Sequence, residues 1–293
     1  MTIRDLQFNV FTLIFAGLLL FGAVGCGEDK NGTSPPADPA GYINADGMRG
    51  GRLYDEFWAT ETGWSQSDTN LATYDSHSDF FRCKQCHGWD LLGSTGAYIS
   101  RAPRMTRPNV SSLNLRSIAA SRTPQELFDA LKRSNGRRAI SADLSTYDPG
   151  TNPTIGDQMP DYGTIFTDEQ IWDLVRFLKL DAIDISILYD FQTTGTYPTG
   201  SITFSNIGED GNASSGDSIF AAKCVGCHGA DGAEFLVDGG SYTVGRHLRE
   251  KPNEDQHKIK FGQLGSIMGS QVTDENEMKD LYRALTDQTR YPD

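Results

Sequence analysis

Hydrophobic and polar positions divide the chain into an apolar amino-terminal run and a longer region of short amphipathic stretches. The run from Phe8 to Phe21 contains almost no polar side chains. A helix that spans a bilayer needs about 20 apolar residues, so this run is short for a span and fits the apolar core of a secretory signal. The pattern predicts an exported protein whose signal peptide covers residues 1–25.

Apolar residues at helical spacing predict several helices in the rest of the chain. An opening helix is expected at residues 51–59, and another between Thr123 and Gly136. Thr167 and Gln170 form a capping box before an apolar helical face that contains Ile171, Leu174, Val175 and Leu178. Thr273 is expected to cap a last helix whose apolar face contains Met278, Leu281, Tyr282 and Leu285. The fold class predicted is mainly α.

Residues 184–207 differ from these helical stretches. They are rich in β-branched and aromatic residues, with Thr, Gly and Pro between them. Two interpretations fit this composition: a short hairpin, or an irregular linker that packs against its neighbours. The 293 residues, of which 38% are hydrophobic, are enough for about two domains.

Charge is distributed unevenly along the chain. The formal net charge is −13, yet residues 82–138 contain 11 basic and three acidic side chains. An acidic protein is a poor candidate for nucleic-acid binding, so we expect no nucleic-acid partner. The basic segment could attract an acidic partner protein; alternatively, its charges only solvate scattered surfaces.

Four of the five cysteines belong to two C-x-x-C-H motifs, which run from Cys83 to His87 and from Cys224 to His228. Residues three apart on a helical turn lie on one face, so both thiols can form thioethers with the vinyl groups of one haem. The histidine that follows can bind the iron as proximal ligand. We therefore predict two covalently bound haem c groups, attached through Cys83, Cys86, Cys224 and Cys227, with His87 and His228 as iron ligands.

Three other interpretations of these motifs fit the sequence less well. Two C-x-x-C pairs could form a Cys₄ zinc site, but the long separation of the motifs and the histidine in each argue against it. Structural disulfides would leave both histidines unexplained. A thioredoxin-like redox motif needs a βαβ context that the sequence does not show.

Around these motifs the chain resembles the small helical cytochrome c family, twice. Gly216 to Lys223 before the second motif is similar to the family's opening helix, and Met159-Pro160 is similar to its methionine ligand loop. The resemblance implies that Met159 and Met268 are the distal iron ligands. It also implies two cytochrome c-like domains, at residues 42–182 with insertions and at residues 212–293, joined by a β-rich or irregular linker at residues 183–211.

Other residues compete for the distal positions. Met105 and His77 are alternatives at the first haem, although core packing is the more usual role for such a methionine and solvation for such a histidine. His247 and His257 are alternatives to Met268, but they lie in a charged segment where surface histidines are the rule.

Ala23 to Cys26 resembles the lipobox of bacterial lipoproteins, in which the signal is cut before a lipidated cysteine. The resemblance implies that Cys26 is lipidated and that residues 26–41, which are polar and rich in Pro and Gly, form a flexible tether. It places the protein in the periplasm or at the cell surface, anchored to a membrane. The competing interpretation is an ordinary signal peptide with an incidental cysteine.

The function expected from these features is the relay of single electrons between redox proteins. A rival from another class is a dihaem enzyme that resembles bacterial cytochrome c peroxidases or thiosulfate dehydrogenases. Thiosulfate dehydrogenases use a cysteine as distal ligand, and none remains once four cysteines hold haem and Cys26 holds lipid. A third interpretation is the cytochrome subunit of a larger oxidoreductase or of an extracellular electron conduit.

Overall fold

The computed structural model describes residues 37–60 and 67–293. The predicted signal peptide, the lipobox and most of the tether lie outside the described residues. Within the described residues, no helix has both the length and the apolar character needed to cross a membrane.

The described part of the chain is mainly helical, as predicted. The helices are α1 (Ala40–Ile43), α2 (Gly47–Thr60), α3 (Leu71–Ser76), α4 (Cys83–His87), α5 (Leu115–Ser121), α6 (Pro124–Lys132), α7 (Thr154–Asp157), α8 (Asp168–Arg176), α9 (Ala213–Lys223), α10 (Val225–His228), α11 (Val244–Glu250), α12 (Pro252–Phe261) and α13 (Glu275–Leu285). A π-helical turn, Phe177–Asp181, continues α8, and short 3₁₀ turns lie at Ser78–Phe80, Gly93–Thr95, Leu144–Thr146 and Ile185–Ile187.

Local capping explains where several helices begin. Thr167 and Gln170 form the predicted reciprocal capping box at the start of α8. Thr123 caps α6 in the same way through Glu126. The last helix differs from the prediction, because Asp274 rather than Thr273 is its cap. The Asp274 carboxylate accepts two backbone N–H groups, where a threonine hydroxyl satisfies fewer.

The segment at residues 184–207 contains a hairpin, which decides between the two interpretations of its composition. Strand β1 (Asp190–Thr194) pairs antiparallel with β2 (Ser201–Ser205), with Asp190 opposite Ser205 and Thr194 opposite Ser201. The hairpin's turn reaches the chain before α5, where the Tyr197 hydroxyl accepts the N–H of Val110 at 3.1 Å.

Two pairs of helices cross at glycines in a similar manner. Helix α2 packs against α8, and a Cβ on Gly50 would lie 2.0 Å from the carbonyl oxygen of Asp173. Helix α9 packs against α13, and a Cβ on Gly216 would lie 2.0 Å from the carbonyl oxygen of Asp280. In both pairs only a glycine allows the backbones to approach this closely.

Residues 38–293 form one compact unit that contains two main hydrophobic cores. The first core surrounds α2 and α8, and the second surrounds α9 and α13. Each core includes a residue from the part of the chain that mainly forms the other core. Phe261 of α12 belongs to the first core, and Leu92 belongs to the second. The predicted boundary between two domains at residues 183–211 stays a prediction.

Candidate functional site: two cysteine-histidine turns

The first C-x-x-C-H motif forms helix α4, which ends at Gly88 with φ 76° and ψ 159°. This φ lies in the left-handed region that glycine adopts without strain, so the glycine after the histidine turns the chain sharply. The hydroxyl of Tyr54 donates to the Gly88 carbonyl oxygen at 2.7 Å and holds this turn against α2. Cys83 is buried and Cys86 is half-buried.

The second motif has nearly the same backbone conformation. Cys224 caps helix α10, and the helix ends at Gly229 with φ 76° and ψ 171°. The surroundings of the two motifs differ, because Cys227 is exposed whereas the first motif is largely enclosed. One local geometry therefore occurs twice, in a covered and in an open setting.

The thiols of the first motif are in an apolar environment. Burial raises the pKa of Cys83 to about 11 and that of Cys86 to about 12, so both free thiols are protonated at neutral pH. Burial also raises the pKa of Cys224 to about 11. The described residues contain no group of three or more His, Cys, Asp or Glu side chains that could share a metal ion, so the two cysteine pairs do not meet in one Cys₄ cluster.

The His87 imidazole is neutral. Its pKa is lowered from the ordinary 6.5 to about 4, mainly by burial and secondly by the positive charge of Arg137. Its Nδ1 atom is buried and has no hydrogen-bond partner among the described residues. A buried polar atom without a partner is unfavourable, and a neutral imidazole is the form that binds iron.

Met159 lies on a loop that is tied to the first motif through Arg138. The N–H of Arg138 donates to the Met159 carbonyl oxygen at 2.9 Å, and its guanidinium donates to the carbonyl oxygen of Phe80 at 2.7 Å. The hydroxyl of Tyr162 donates to the carbonyl oxygen of Phe81 at 2.6 Å. The predicted ligand loop therefore contacts the chain immediately before Cys83.

Four arginines of the basic segment bring unused hydrogen-bond donors into this region. Each has a buried Nε atom without a partner among the described residues: Arg101, Arg107, Arg137 and Arg138. Arg138 is 2% exposed, and burial lowers its pKa even though Tyr162 and Cys86 oppose the shift. Buried guanidinium groups favour an anionic partner, and a haem carries two carboxylates. This donor set fits the group that the motif predicts.

Met268 lies on a loop that follows α12, and it is half-buried against the second core. The Met268 carbonyl oxygen accepts the N–H of Gln263 at 2.8 Å. Its neighbour Ile267 is 94% exposed, and Phe235, near His228, is 62% exposed. The Nδ1 atom of His228 lies 3.3 Å from the Phe235 carbonyl oxygen. Exposed apolar side chains beside both predicted ligands fit a surface that an apolar macrocycle would cover.

Three expectations about the alternative ligands were wrong. His247 and His257 are each 1% exposed rather than at the surface. The segment that contains them is packed, with Leu248 in the second core and Phe261 in the first. Met105 is 65% exposed and is not packed in a core, since it lies on a short loop outside the helices. His77 is half-buried, with its ring 6.4 Å from that of Phe80.

Sequence reasoning missed the residues that connect these parts. Arg138 and Tyr162 were not identified as site residues, although Arg138 lies in the basic segment at residues 82–138. The contact between Trp89 and His257 joins residues that are 168 positions apart, and no sequence pattern indicates it.

Residues 78–180 match the family model described as Cytochrome c. The match supports a c-type cytochrome. The matched segment contains Cys83, Cys86, His87 and Met159, whereas the second motif lies outside it. Proteins of this family carry covalently bound haem c, and the cytochrome c segment suggests electron transfer. Neither a curated protein nor a solved structure matches the chain.

Proposed function

We propose that this protein is an exported, lipid-anchored dihaem c-type cytochrome that relays single electrons between redox proteins. The observation that carries the proposal is the repeated local geometry of the two motifs. Both end in a glycine with φ 76°. Each also comes after a helix that its partner helix crosses at a glycine: α9 leads directly into the second motif, and α2 precedes the first motif with α3 between them. The second motif lies outside the family match, so this geometry is its main support beyond the sequence.

Each residue of the motif has one role in this proposal. Cys83 and Cys86 hold one haem through thioethers, and Cys224 and Cys227 hold another. His87 and His228 would each bind an iron, and Met159 and Met268 would each supply a second protein ligand. Iron with His and Met ligands cycles between ferric and ferrous states at a raised potential, which suits single-electron relay.

The two haem sites differ in how they meet a partner. The first is enclosed by the chain around Arg138, and the arginine Nε atoms without a partner there would donate to the haem carboxylates. Excess basic charge nearby attracts an acidic redox protein and raises the rate of encounter. The second motif is more open, with Cys227 and Phe235 exposed. The first site is therefore favoured by charge attraction, and the second by direct access.

Counting the haems tests the proposal. The mature protein is analysed by intact mass and by haem staining after denaturing electrophoresis. Two covalent haems are expected in the wild type, and one each in Cys83→Ala/Cys86→Ala and in Cys224→Ala/Cys227→Ala. A wild-type protein with one haem that is lost only in the first variant would contradict the dihaem proposal.

Spectroscopy separates the electron carrier from the dihaem enzyme. A carrier has two low-spin irons and does not bind cyanide or peroxide readily. A high-spin iron that binds either ligand rapidly would show an open coordination position. That result would replace electron relay by peroxidase-like chemistry.

A further inference from the structure

A row of three buried rings joins the chain that follows the first motif to helix α12. The ring of Trp89, two residues after His87, lies 4.7 Å from that of His257, centroid to centroid. The ring of His257 lies 4.6 Å from that of Phe261. Trp89, His257 and Phe261 are 3%, 1% and 2% exposed. This row, here called the ring bridge, contains no exposed member.

Hydrogen bonds fix the ring bridge in place. The amide of Gln256 donates to the Trp89 carbonyl oxygen at 2.7 Å, so α12 is attached directly to the chain that follows the first motif. The Nε2 atom of His257 donates to the Gly51 carbonyl oxygen at 3.0 Å. A Cβ on Gly51 would lie 2.3 Å from Phe261, so this glycine admits the ring of Phe261 against α2.

Each end of the ring bridge lies close along the chain to a predicted iron ligand. At one end, only Gly88 separates Trp89 from His87. At the other end, α12 finishes at Phe261, and the next residues hold the loop of Met268. The N–H of Gln263 donates to the Met268 carbonyl oxygen at 2.8 Å, and a Cβ on Gly262 would lie 2.9 Å from the same oxygen.

We infer that the ring bridge of Trp89, His257 and Phe261 is the internal route by which an electron passes between the two haem sites. This inference rests on the proposed dihaem function. The step moves one electron from a ferrous iron at one site to a ferric iron at the other. The donor iron is oxidised, the acceptor iron is reduced, and no bond or proton moves. The rings stay neutral and serve as the tunnelling medium.

The physical reason is the dependence of tunnelling on the intervening medium. Tunnelling decays with distance, and it decays faster across empty gaps than through bonded or contacting atoms. A well-packed interior offers few gaps. Replacing a large buried ring by a smaller side chain leaves a cavity, because the surroundings relax only in part.

Pulse radiolysis of the purified holoprotein tests the ring bridge. A pulse of hydrated electrons reduces about one haem per molecule, and the electron then redistributes between the two sites. The absorbance change is followed at wavelengths where the two haems differ in a redox titration. Trp89→Leu, His257→Leu and Phe261→Leu should each slow this internal exchange several-fold. His257→Phe keeps a ring at that position and should restore most of the rate.

Phe128→Leu is the matched control. It removes a buried ring that stacks on Trp172 at 4.2 Å, away from the ring bridge. This variant should exchange electrons at the wild-type rate. Both midpoint potentials are measured for every variant, and rates are compared after correction for the potential difference.

The exchange rates test the ring bridge, whereas the haem count tests the proposed function. Wild-type exchange rates in the folded Leu variants would overturn the ring bridge as the route. Should Trp89→Leu not fold, the other two Leu variants decide the question. A wild-type protein with a single covalent haem by mass would instead overturn the proposed function, and with it the premise of this inference.

Discussion

Buried histidines in this protein differ in their ionisation. Burial lowers the pKa of His257 from 6.5 to about 4. Burial also opposes the charge on His247, but Asp255, whose carboxylate oxygen lies 2.8 Å from its Nδ1, raises the pKa of His247 overall. Folding therefore shifts the pKa values of the two histidines in opposite directions.

His257 should make the protein less stable in acid. Because its pKa is lower in the folded than in the unfolded state, the unfolded chain binds the extra proton as the pH falls from 6.5 to 4. The loss amounts to about 3 kcal/mol of unfolding free energy over this window. His257→Gln removes the titration and keeps an N–H donor toward Gly51. Denaturant unfolding at several pH values should show a shallower acid slope for this variant.

His247→Gln is the control for this experiment. A raised pKa in the folded state contributes stability below the unfolded pKa, and that stability is lost as the pH rises through the folded value. Losing His247 should therefore not flatten the acid slope. A His257→Gln variant with the wild-type slope would contradict the assignment of acid sensitivity to His257.

The predicted distal methionines can be tested by redox titration. A thioether stabilises ferrous iron better than a second imidazole does, so Met159→His and Met268→His should each lower one midpoint potential. The two loops are held by separate contacts, from Arg138 and from Gln263, so each substitution should move a different wave. Haem attachment should persist in both variants.

Substitutions of the alternative ligands test the assignment of Met159 as the distal ligand of the first haem. If Met159→His leaves the first wave in place while Met105→His or His77→Ala moves it, the first distal ligand is wrong. Electron relay would still stand in that case.

Among the elements, the two helix crossings depend on glycine. Gly216 lies inside α9, where alanine would normally favour the helix by about 1 kcal/mol. The carbonyl oxygen of Asp280 and the side chain of Ala284 leave no room for a Cβ at this position. Packing between helices therefore outweighs helix propensity here.

Gly216→Ala should destabilise the protein by about 1–3 kcal/mol despite the better helix former. Denaturant unfolding measures the effect, and haem content shows whether the second site still forms. Gly150→Ala is the control, because a Cβ there would meet its nearest atom at an ordinary 3.4 Å. An unchanged or increased stability of Gly216→Ala would show that α13 does not approach α9 as closely as the structure has it.

At the scale of the whole molecule, the anchor lies outside the described residues, and its test is biochemical. Cys26→Ser should release the protein from the membrane fraction with both haems in place. Two or more acyl chains anchor a protein stably, whereas the described residues include no membrane-spanning helix. Fractionation followed by haem staining measures this. A variant that remains in the membrane fraction would contradict the lipoprotein prediction.

The sequence by itself determined the local features of this protein. The spacing of Cys83, Cys86 and His87 indicated haem attachment, and the capping box of Thr167 and Gln170 placed the start of α8. These signals are readable because they depend on residues within one helical turn. The hairpin was one of two alternatives left by its composition. The start of α13 was missed by one residue, because Thr273 and Asp274 are both good caps.

Only the tertiary structure decided how the two halves meet. The sequence predicted His247 and His257 at the surface, since they lie among charged residues, yet both are buried. The burial of His257 involves contacts with distant parts of the chain, such as the Gly51 carbonyl oxygen, 206 positions away. Charge and periodicity report only on near neighbours along the chain. The enclosure of the first motif, the arginine Nε atoms without a partner and the ring bridge all arise from long-range packing that no local pattern encodes.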